Sequence, residues 1–325
     1  MRTAAEWGVG GPTPTCRTLT SFLLAPSAPP GYRGLYDGST WRELTPDTVS
    51  HIHTLGGTVL GSSRGGFDSD KILNALVSRG INLLFVIGGD GTHRGALQLV
   101  RDAAARSLRI CIAGVPKTID NDIPVIDKSF GFDTAVARAV EPITCAHTEA
   151  KAAPNGIGLV KLMGRNAGFI ALHATMASQE VNLVLIPEAP WRLSRVLEWL
   201  ETRLPSRGHA VVVVAEGAEC IEQKEAKAAR AASAASASSG AAARVDASGN
   251  VLHDDVGIFL KERITAHFAA RGSPANVKYI DPSYIIRSSP AIASDSNLCT
   301  NLAYNAAHGA MGGYTGFTVG TVDNH

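Results

Sequence analysis

The sequence predicts a doubly wound α/β fold, in which helices cover both faces of a parallel sheet. Five apolar runs of strand length alternate with longer stretches of helical composition, so the order of elements is βαβα. The runs are continuously apolar, which is typical of parallel strands that are buried on both faces. With 325 residues, the chain is long enough for two domains that each bury a core.

The predicted strands occupy the middle of the chain, at residues 83–87, 109–114, 157–161, 181–186 and 210–215. Helices are predicted at 69–79 and 92–106. In doubly wound folds ligands bind beyond the carboxyl ends of the strands. The loops that directly follow the first two strands, at 88–92 and 116–122, are therefore expected to face one cleft.

Two segments depart from this pattern. Residues 226–243 are mostly alanine and serine and contain no large apolar side chain, which predicts a surface insertion or linker that could form only a fragile helix. The first ~50 residues are irregular for a compact domain, and several prolines interrupt any regular element there.

The first strand leads into a glycine-rich turn, Gly88-Gly89-Asp90-Gly91-Thr92. Glycines let phosphate oxygens approach the backbone, and a helix that starts at Thr92 would direct its dipole and first amides toward an anion. Asp90 is a hard oxygen ligand suited to the Mg²⁺ that accompanies a nucleotide. The alternative is an ordinary tight turn between a strand and a helix.

A second glycine-rich stretch, GGTVLGSSRGG, spans residues 56–66. Its Arg64 is flanked by small residues, and an arginine in such a place can clamp a phosphate with forked hydrogen bonds. Taken alone, this stretch fits a surface turn equally well.

The second strand leads into PKTIDND, residues 116–122. A kinase that acts on an alcohol needs a base near the hydroxyl, a cation near the transferring phosphate and an oxygen ligand for Mg²⁺. Lys117, Thr118, Asp120 and Asp122 provide all three, with Asp120 as the candidate base. The alternative is a solvated acidic turn between two prolines.

Eight motifs together resemble the 6-phosphofructokinase family, and most closely its plant- and protist-type ATP-dependent members. They are GGTVLGSSRGG, GGDGT, PKTIDND, GFDTA, KLMGRNAGFIA, PEAP, AEG and KYIDPSYIIR, in the order seen in that family. The resemblance implies two Rossmann-like parallel-sheet domains with the active site in the cleft between them. Residues 1–131 plus 287–325 would bind ATP, and residues 132–286, with the insertion at 226–243, would bind the sugar phosphate.

The resemblance also assigns roles, in the conversion of fructose 6-phosphate to the 1,6-bisphosphate. Asp120 would be the base, with Arg165 and Lys117 near the transferring phosphate and Asp90 on Mg²⁺. The nucleotide site would comprise Gly10, Arg64, Gly65, Gly89, Asp90, Gly91 and Thr92. The sugar phosphate would contact Thr118, Ile119, Asp120, Met163, Gly164, Arg165, Glu216, Tyr284, Ile285, Ile286 and Arg287.

The phosphoryl donor is argued from Gly91. In this family ATP-using members have glycine after the Mg²⁺ aspartate, and pyrophosphate users usually have a second aspartate. Lys117 points the other way, because pyrophosphate enzymes carry lysine at that position. We expect ATP, with pyrophosphate as the alternative.

The ends of the chain depart from the family pattern. Only the glycines and prolines around Gly10 resemble its first loop, so we expect one N-terminal βα unit and the C-terminal end to be incomplete. An inactive or truncated paralogue is therefore a further alternative. We expect a homo-oligomer located in the cytoplasm, or else in a plastid. A net charge of +1, and no apolar run of the ~20 residues that a membrane span needs, predict neither a nucleic acid nor a membrane partner.

Overall fold

The computed structural model of the protein describes residues 24–26, 31–37, 41–63, 65–236 and 255–323, apart from the side chains of 24–26, 42 and 230–236. The predicted nucleotide-site residues Gly10 and Arg64 lie outside the described residues. The chain divides into two compact units. The first unit draws on Met1–Ile119, Ile123–Gly131 and Pro290–His325, and the second comprises Asp120–Asp122 and Phe132–Ser289.

The described strands are β1 (Leu24–Pro26), β2 (Trp41–Glu43), β3 (Leu83–Gly88), β4 (Cys111–Pro116), β5 (Gly156–Leu162), β6 (Leu183–Leu185), β7 (His209–Ala215), β8 (Asn276–Ile280) and β9 (Phe317–Thr318). The described α-helices are α1 (Pro46–Val49), α2 (Ser69–Ser78), α3 (Asp90–Ala105), α4 (Phe132–Ala152), α5 (Phe169–Ser178), α6 (Leu193–Arg207), α7 (Ile221–Ser236), α8 (Val256–Ala270), α9 (Ser283–Arg287) and α10 (Ala293–Met311).

The first unit contains a parallel sheet in the order β3-β4-β9. Side chains from α2, α3, β3 and β4 pack together and form the main core of the unit. They include Ile72, Leu73, Leu76, Val86, Leu99, Val100 and Ile112. The predicted parallel α/β architecture is confirmed here. The second predicted strand begins two residues later than expected, at Cys111, and extends to Pro116.

One face of β3 is more open than the sequence predicts. Continuous apolar character suggested burial on both faces, but Ile87 is 51% exposed. In the described part of the sheet β3 is an edge strand, and α10 packs against the central strand β4. The expectation of two-sided burial is therefore wrong at Ile87, because apolar composition does not reveal which part of a strand face is covered.

The N-terminal region is more regular than predicted. β1 and β2 form an antiparallel pair in which Leu24 lies opposite Glu43, although Pro26 ends β1. Proline is tolerated in a short edge pair because only one side of each strand needs hydrogen bonds. A 3₁₀ turn at Tyr32–Leu35 follows β1.

The second unit contains a parallel sheet in the order β6-β7-β5-β8. All seven residues of β5 are buried, and successive side chains of a strand point to opposite faces, so both faces of β5 are covered. α4 packs closely on this strand. It can do so because Gly158 has no side chain: an added Cβ would lie 2.7 Å from the carbonyl oxygen of Ala146.

The alanine-rich segment is helical where it is described, since α7 runs to Ser236. The remainder, to residue 243, lies outside the described residues. In the part of the chain that the structure describes, no helix is both long and apolar enough to cross a membrane.

Candidate active site

The glycine-rich turn at residues 88–92 joins β3 to α3 in the first unit, and we call it the phosphate turn after the ligand predicted for it. The helix begins at Asp90, with Gly89 as its N-cap, so the predicted start at Thr92 is two residues too late. The amide of Thr92 already donates to the carbonyl of Gly89 at 2.9 Å. The amides available to an anion at this helix start are therefore those of Asp90 and Gly91.

The turn is tight on its inner side and open on its outer side. An added Cβ at Gly88 would lie 2.4 Å from the hydroxyl oxygen of Thr92, whereas one at Gly91 would meet nothing within 4 Å. Gly89, Asp90 and Gly91 are exposed, and Thr92 is half-buried. This geometry suits the binding of a phosphate that approaches from solvent and lies at the positive end of the dipole of a 16-residue helix.

PKTIDND starts alongside this turn. The backbone N–H of Lys117 donates to the carbonyl oxygen of Gly88 at 2.8 Å, which continues the pairing of β3 with β4. The side chain of Lys117 is exposed, and Thr118 and Ile119 are half-buried. Within the first unit the structure thus brings Lys117 beside GGDGT, as the succession of strand ends predicts.

Tyr32 supports the same turn and was missed by the sequence analysis. Its hydroxyl donates to the carbonyl oxygen of Thr92, and its ring fills the space that a Cβ at Gly95 would need, 2.8 Å away. Burial raises the pKa of Tyr32 well above its usual value, so the hydroxyl stays a donor. The pair of glycines that flanks Tyr32 and Arg33 was the available signal.

The glycine-rich stretch at 56–66 packs on the same segment. The hydroxyl of Tyr36 donates to the carbonyl of Gly66 at 3.1 Å. A Cβ at Gly66 would lie 2.6 Å from that of Arg33. Gly65 is exposed, and its φ of +76° is one that glycine adopts readily. The neighbours of Arg64 are thereby fixed on the first unit.

Asp120 belongs to the second unit and lies beside Arg165. Its Oδ2 atom accepts a long hydrogen bond, 3.4 Å, from the backbone nitrogen of Arg165. Burial raises the pKa of Asp120 above its usual value. The Arg165 amide opposes that rise, and the carboxylates of Asp122 and Glu216 add to it. A carboxyl with a raised pKa close to an arginine is suited to accept a proton.

The turn at 163–165 follows β5 and is fastened to the turn after β7. The amide of Glu216 donates to the carbonyl of Leu162, and the amide of Gly217 donates to that of Gly164, both at 2.9 Å. Gly164 has a φ of +135°, which requires glycine. Arg165 and Glu216 are half-buried at the carboxyl end of the sheet, where α/β folds bind ligands.

α9 carries the predicted 6-phosphate residues. The Nε of Arg287 donates to the Sδ of Met163 at 3.3 Å, so this helix reaches the 163–165 turn. Tyr284 and Ile285 are exposed, whereas Ile286 is 3% exposed and Met163 is 2% exposed. The side chains of Ile286 and Met163 pack in the core, so any sugar contact they make would come from atoms at the rim or from the main chain.

Metal-binding residues are sparse. Among the described residues, no group of three or more His, Cys, Asp or Glu side chains could hold a metal ion. Asp90, exposed at the start of α3, remains the candidate ligand. A single carboxylate suits Mg²⁺ that arrives with nucleotide phosphates, because such ions keep several waters and take few protein ligands.

Two parallel sheets, each followed at its carboxyl end by loops that carry predicted site residues, define a protein of the parallel α/β class. A model of the family described as "Phosphofructokinase" matches residues 27–310. The chain therefore belongs to the phosphofructokinase family, and the resemblance inferred from the motifs is confirmed.

The chain is 48% identical over 296 residues to ATP-dependent 6-phosphofructokinase 7 of Arabidopsis thaliana. The matched region covers 90% of this chain and 58% of that protein. It is 45% identical over 296 residues to the ATP-dependent 6-phosphofructokinase of Borreliella burgdorferi, with coverage of 88% and 63%. The chain thus spans less than two thirds of the length of these relatives.

Solved structures share the fold. A pyrophosphate-dependent phosphofructokinase from Marinobacter aquaeolei matches with a TM-score of 0.69 and 22% identity, over 90% of this chain and 68% of that chain.

Proposed function

We propose that this chain is an ATP-dependent 6-phosphofructokinase, which transfers the γ-phosphoryl group of ATP to the 1-hydroxyl of fructose 6-phosphate. Its relatives at 48% and 45% identity carry that name. The residues that the chemistry requires are present in the two units, with GGDGT and Lys117 in the first and Asp120, Arg165 and Glu216 in the second.

The environment of Asp120 carries the proposal. Its carboxyl is desolvated, has a raised pKa, and accepts the amide of Arg165 at 3.4 Å. A solvated acidic turn, the alternative considered for PKTIDND, would not raise that pKa by burial. Asp120 is therefore proposed as the general base.

In the proposed reaction Asp120 removes the proton of the sugar's 1-hydroxyl while the oxygen of that hydroxyl attacks the γ-phosphorus. The bond between the γ-phosphorus and the oxygen that bridges it to the β-phosphate breaks, and ADP leaves. Arg165 and Lys117 stabilise negative charge on the transferring group. The exposed amides of Asp90 and Gly91, with Gly65 and Arg64, bind the nucleotide phosphates. Mg²⁺, when held by Asp90 and those phosphates, supplies further charge neutralisation.

The remaining predicted residues are proposed to hold the sugar phosphate. Thr118 and Glu216 would bind its hydroxyls, and Arg287 its 6-phosphate with a planar guanidinium. Ile119, Gly164, Tyr284 and Ile285 would complete the surface around it.

The test is a coupled assay of the purified full chain with fructose 6-phosphate, Mg²⁺ and either ATP or pyrophosphate. We expect turnover with ATP. Asp120→Ser should lower kcat by about 10²–10⁴, and Asp47→Ser, at an exposed position of α1, should leave it unchanged. Turnover that survives Asp120→Ser would remove Asp120 as the base.

A second candidate is pyrophosphate as donor. The observation that favours it is Lys117, whose exposed side chain neighbours the phosphate turn. Turnover with pyrophosphate and not ATP would establish this candidate. No turnover with either donor, together with binding of fructose 6-phosphate, would indicate a non-catalytic paralogue.

We also propose a homo-oligomer in the cytoplasm, with a plastid as the alternative location. Relatives named chloroplastic occur beside ones without that word. Light scattering after size exclusion tests the oligomer, and a fluorescent fusion expressed in the source cell tests the location.

A further inference from the structure

Lys161 is a lysine that β5 places inside the second unit. Its side chain is only 11% exposed, and it lies in a strand whose other residues are apolar or glycine. A buried ammonium requires compensation. Lys161 has it on two sides, since Nζ lies 2.5 Å from Oδ2 of Asp255 and 2.8 Å from Oδ2 of Asp281.

The Asp255 arm fixes the start of α8. The other oxygen of Asp255 accepts the amides of Gly257 and Ile258 at 2.9 and 3.0 Å, and the hydroxyl of Tyr279 at 3.2 Å. Asp255 is thus the N-cap of α8 and is saturated with donors.

The Asp281 arm fixes the start of α9. Its Oδ1 accepts the amide of Ser283 at 3.1 Å and the hydroxyl of the same residue at 2.6 Å. This local turn sets the direction in which α9 leaves β8. α9 is five residues long and too short to be stable alone, so its orientation depends on such anchors.

The position of Lys161 connects these anchors to the candidate sugar-phosphate site. Two residues after Lys161, β5 has ended and the 163–165 turn begins. Six residues after Asp281, Arg287 donates back to the sulfur of Met163 at 3.3 Å. Lys161 and Arg287 therefore hold the two ends of α9 to one short piece of chain.

We propose that Lys161 is a positioning residue, which through Asp281 holds α9 and Arg287 against the 163–165 turn and so sets the affinity for the sugar phosphate. The inference deepens the proposed function and rests on it for the identity of the substrate. Lys161 does not touch the reacting atoms in this scheme, so its removal should act on binding more than on the chemical step.

The experiment compares Lys161→Met and Lys161→Arg in the purified full chain. For Lys161→Met we expect KM for fructose 6-phosphate to rise about tenfold to a hundredfold, while kcat and KM for ATP stay within about twofold. Lys161→Arg keeps the charge and should recover most of the affinity. The matched control is Lys278→Met, on β8, where the lysine side chain is 38% exposed and its Nζ lies 3.9 Å from Oε2 of Glu149.

Lys161→Met leaves two carboxylates without their cation, which destabilises the fold. The triple variant with Lys161→Met, Asp255→Asn and Asp281→Asn removes all three charges and keeps residues that cap helices. We expect it to fold and to retain the higher KM for fructose 6-phosphate. If the triple variant regains the wild-type KM, uncompensated charge rather than lost positioning explains the single variant, and the proposal is overturned.

Amide hydrogen exchange tests the positioning role of Lys161 independently of the proposed enzymatic function. In Lys161→Met, or in the triple variant if that alone folds, amides of Ser283–Arg287 should exchange at least about tenfold faster than in Lys278→Met. Unchanged exchange there overturns the positioning role. If the wild-type chain neither binds nor phosphorylates fructose 6-phosphate, the proposed function fails, and exchange alone decides whether Lys161 positions α9.

Discussion

The backbone N–H of Gly217 donates a hydrogen bond of 2.9 Å to the carbonyl oxygen of Gly164. This bond joins the turn after β7 to the turn after β5, and it brings Arg165 and Glu216 to the same edge of the second sheet. The contact is so close that an added Cβ at Gly217 would lie 1.7 Å from the carbonyl oxygen of Arg165.

Gly217→Ala should therefore displace Arg165, because the obstructing atom is backbone and cannot rotate away. We expect a loss of roughly 1–3 kcal/mol in the free energy of unfolding, as for other overpacked sites, and a drop in kcat/KM of more than about tenfold. Denaturant melts and the coupled assay measure both. Gly91→Ala is the control for stability, since its Cβ meets nothing. An equally stable and active Gly217→Ala would contradict this contact.

Gly91→Asp tests the choice of phosphoryl donor without a steric cost to the fold. A side chain at 91 points into open space, and an acidic residue in the first turn of α3 suits the helix dipole. The melting temperature should not fall. We expect kcat/KM for ATP to drop about a hundredfold through repulsion of the nucleotide phosphates. Unchanged ATP turnover would remove Gly91 from the argument for ATP.

Asp120→Asn should stabilise the protein at neutral pH while it lowers kcat by about 10²–10⁴. Because the folded-state pKa of Asp120 is raised, its favourable contribution is present below the ordinary carboxyl pKa and is lost as the pH rises through the folded value. The neutral variant should melt roughly 2 °C higher at pH 7, and the gain should vanish near pH 3. A gain that is the same at both pH values would mean that the carboxylate is not the cause.

Acid should weaken the ion pairs that Lys161 forms with Asp255 and Asp281. Burial raises the pKa of Asp255 and of Asp281, but hydrogen bonds from Lys161 and from neighbouring donors outweigh burial, so the pKa of each carboxyl lies below its usual value. The stability that they provide is present above the ordinary pKa and is lost as the pH falls through the lowered values. Between about pH 5 and about pH 3, the melting temperature of the wild type should fall more steeply than that of Lys161→Met. Parallel curves would argue against these ion pairs.

Tyr32→Phe should weaken nucleotide binding selectively. It removes the hydroxyl that donates to the carbonyl of Thr92 and leaves this partly buried oxygen short of one donor, at a cost of about 1 kcal/mol. Because this hydrogen bond supports the phosphate turn, its loss should raise KM for ATP roughly fivefold and leave KM for fructose 6-phosphate unchanged. Tyr304→Phe, at a 63% exposed position of α10, is the matched control. Equal effects on both substrates would point to a general loss of stability.

Strand ends were predictable because apolar runs and glycines are local signals. β3, β5 and β7 lie within one residue of their predicted bounds, and the predicted site residues lie in the loops that follow them. The start of α3 and the bounds of β4 were each off by two residues, since helix caps and strand registers depend on hydrogen bonds with neighbouring chain.

The partners of Lys161 could not be predicted from local sequence patterns. In the sequence it is one polar residue in an apolar run, and nothing nearby marks its partners. Asp255 and Asp281 lie 94 and 120 positions further along the chain (255 − 161 and 281 − 161). Only the parallel pairing of β5 with β8, and the packing of α8 on both, bring the three charges together.

By itself, the sequence determined the parallel α/β class, the family and the positions of the turns that carry the candidate site residues, because these depend on composition and on short motifs. The tertiary structure alone decided that Asp120 is desolvated beside Arg165, that Gly217 locks the 163–165 turn, and that Tyr32 supports the phosphate turn. These relationships join residues that are distant in the chain, and close packing, which no local pattern encodes, creates them.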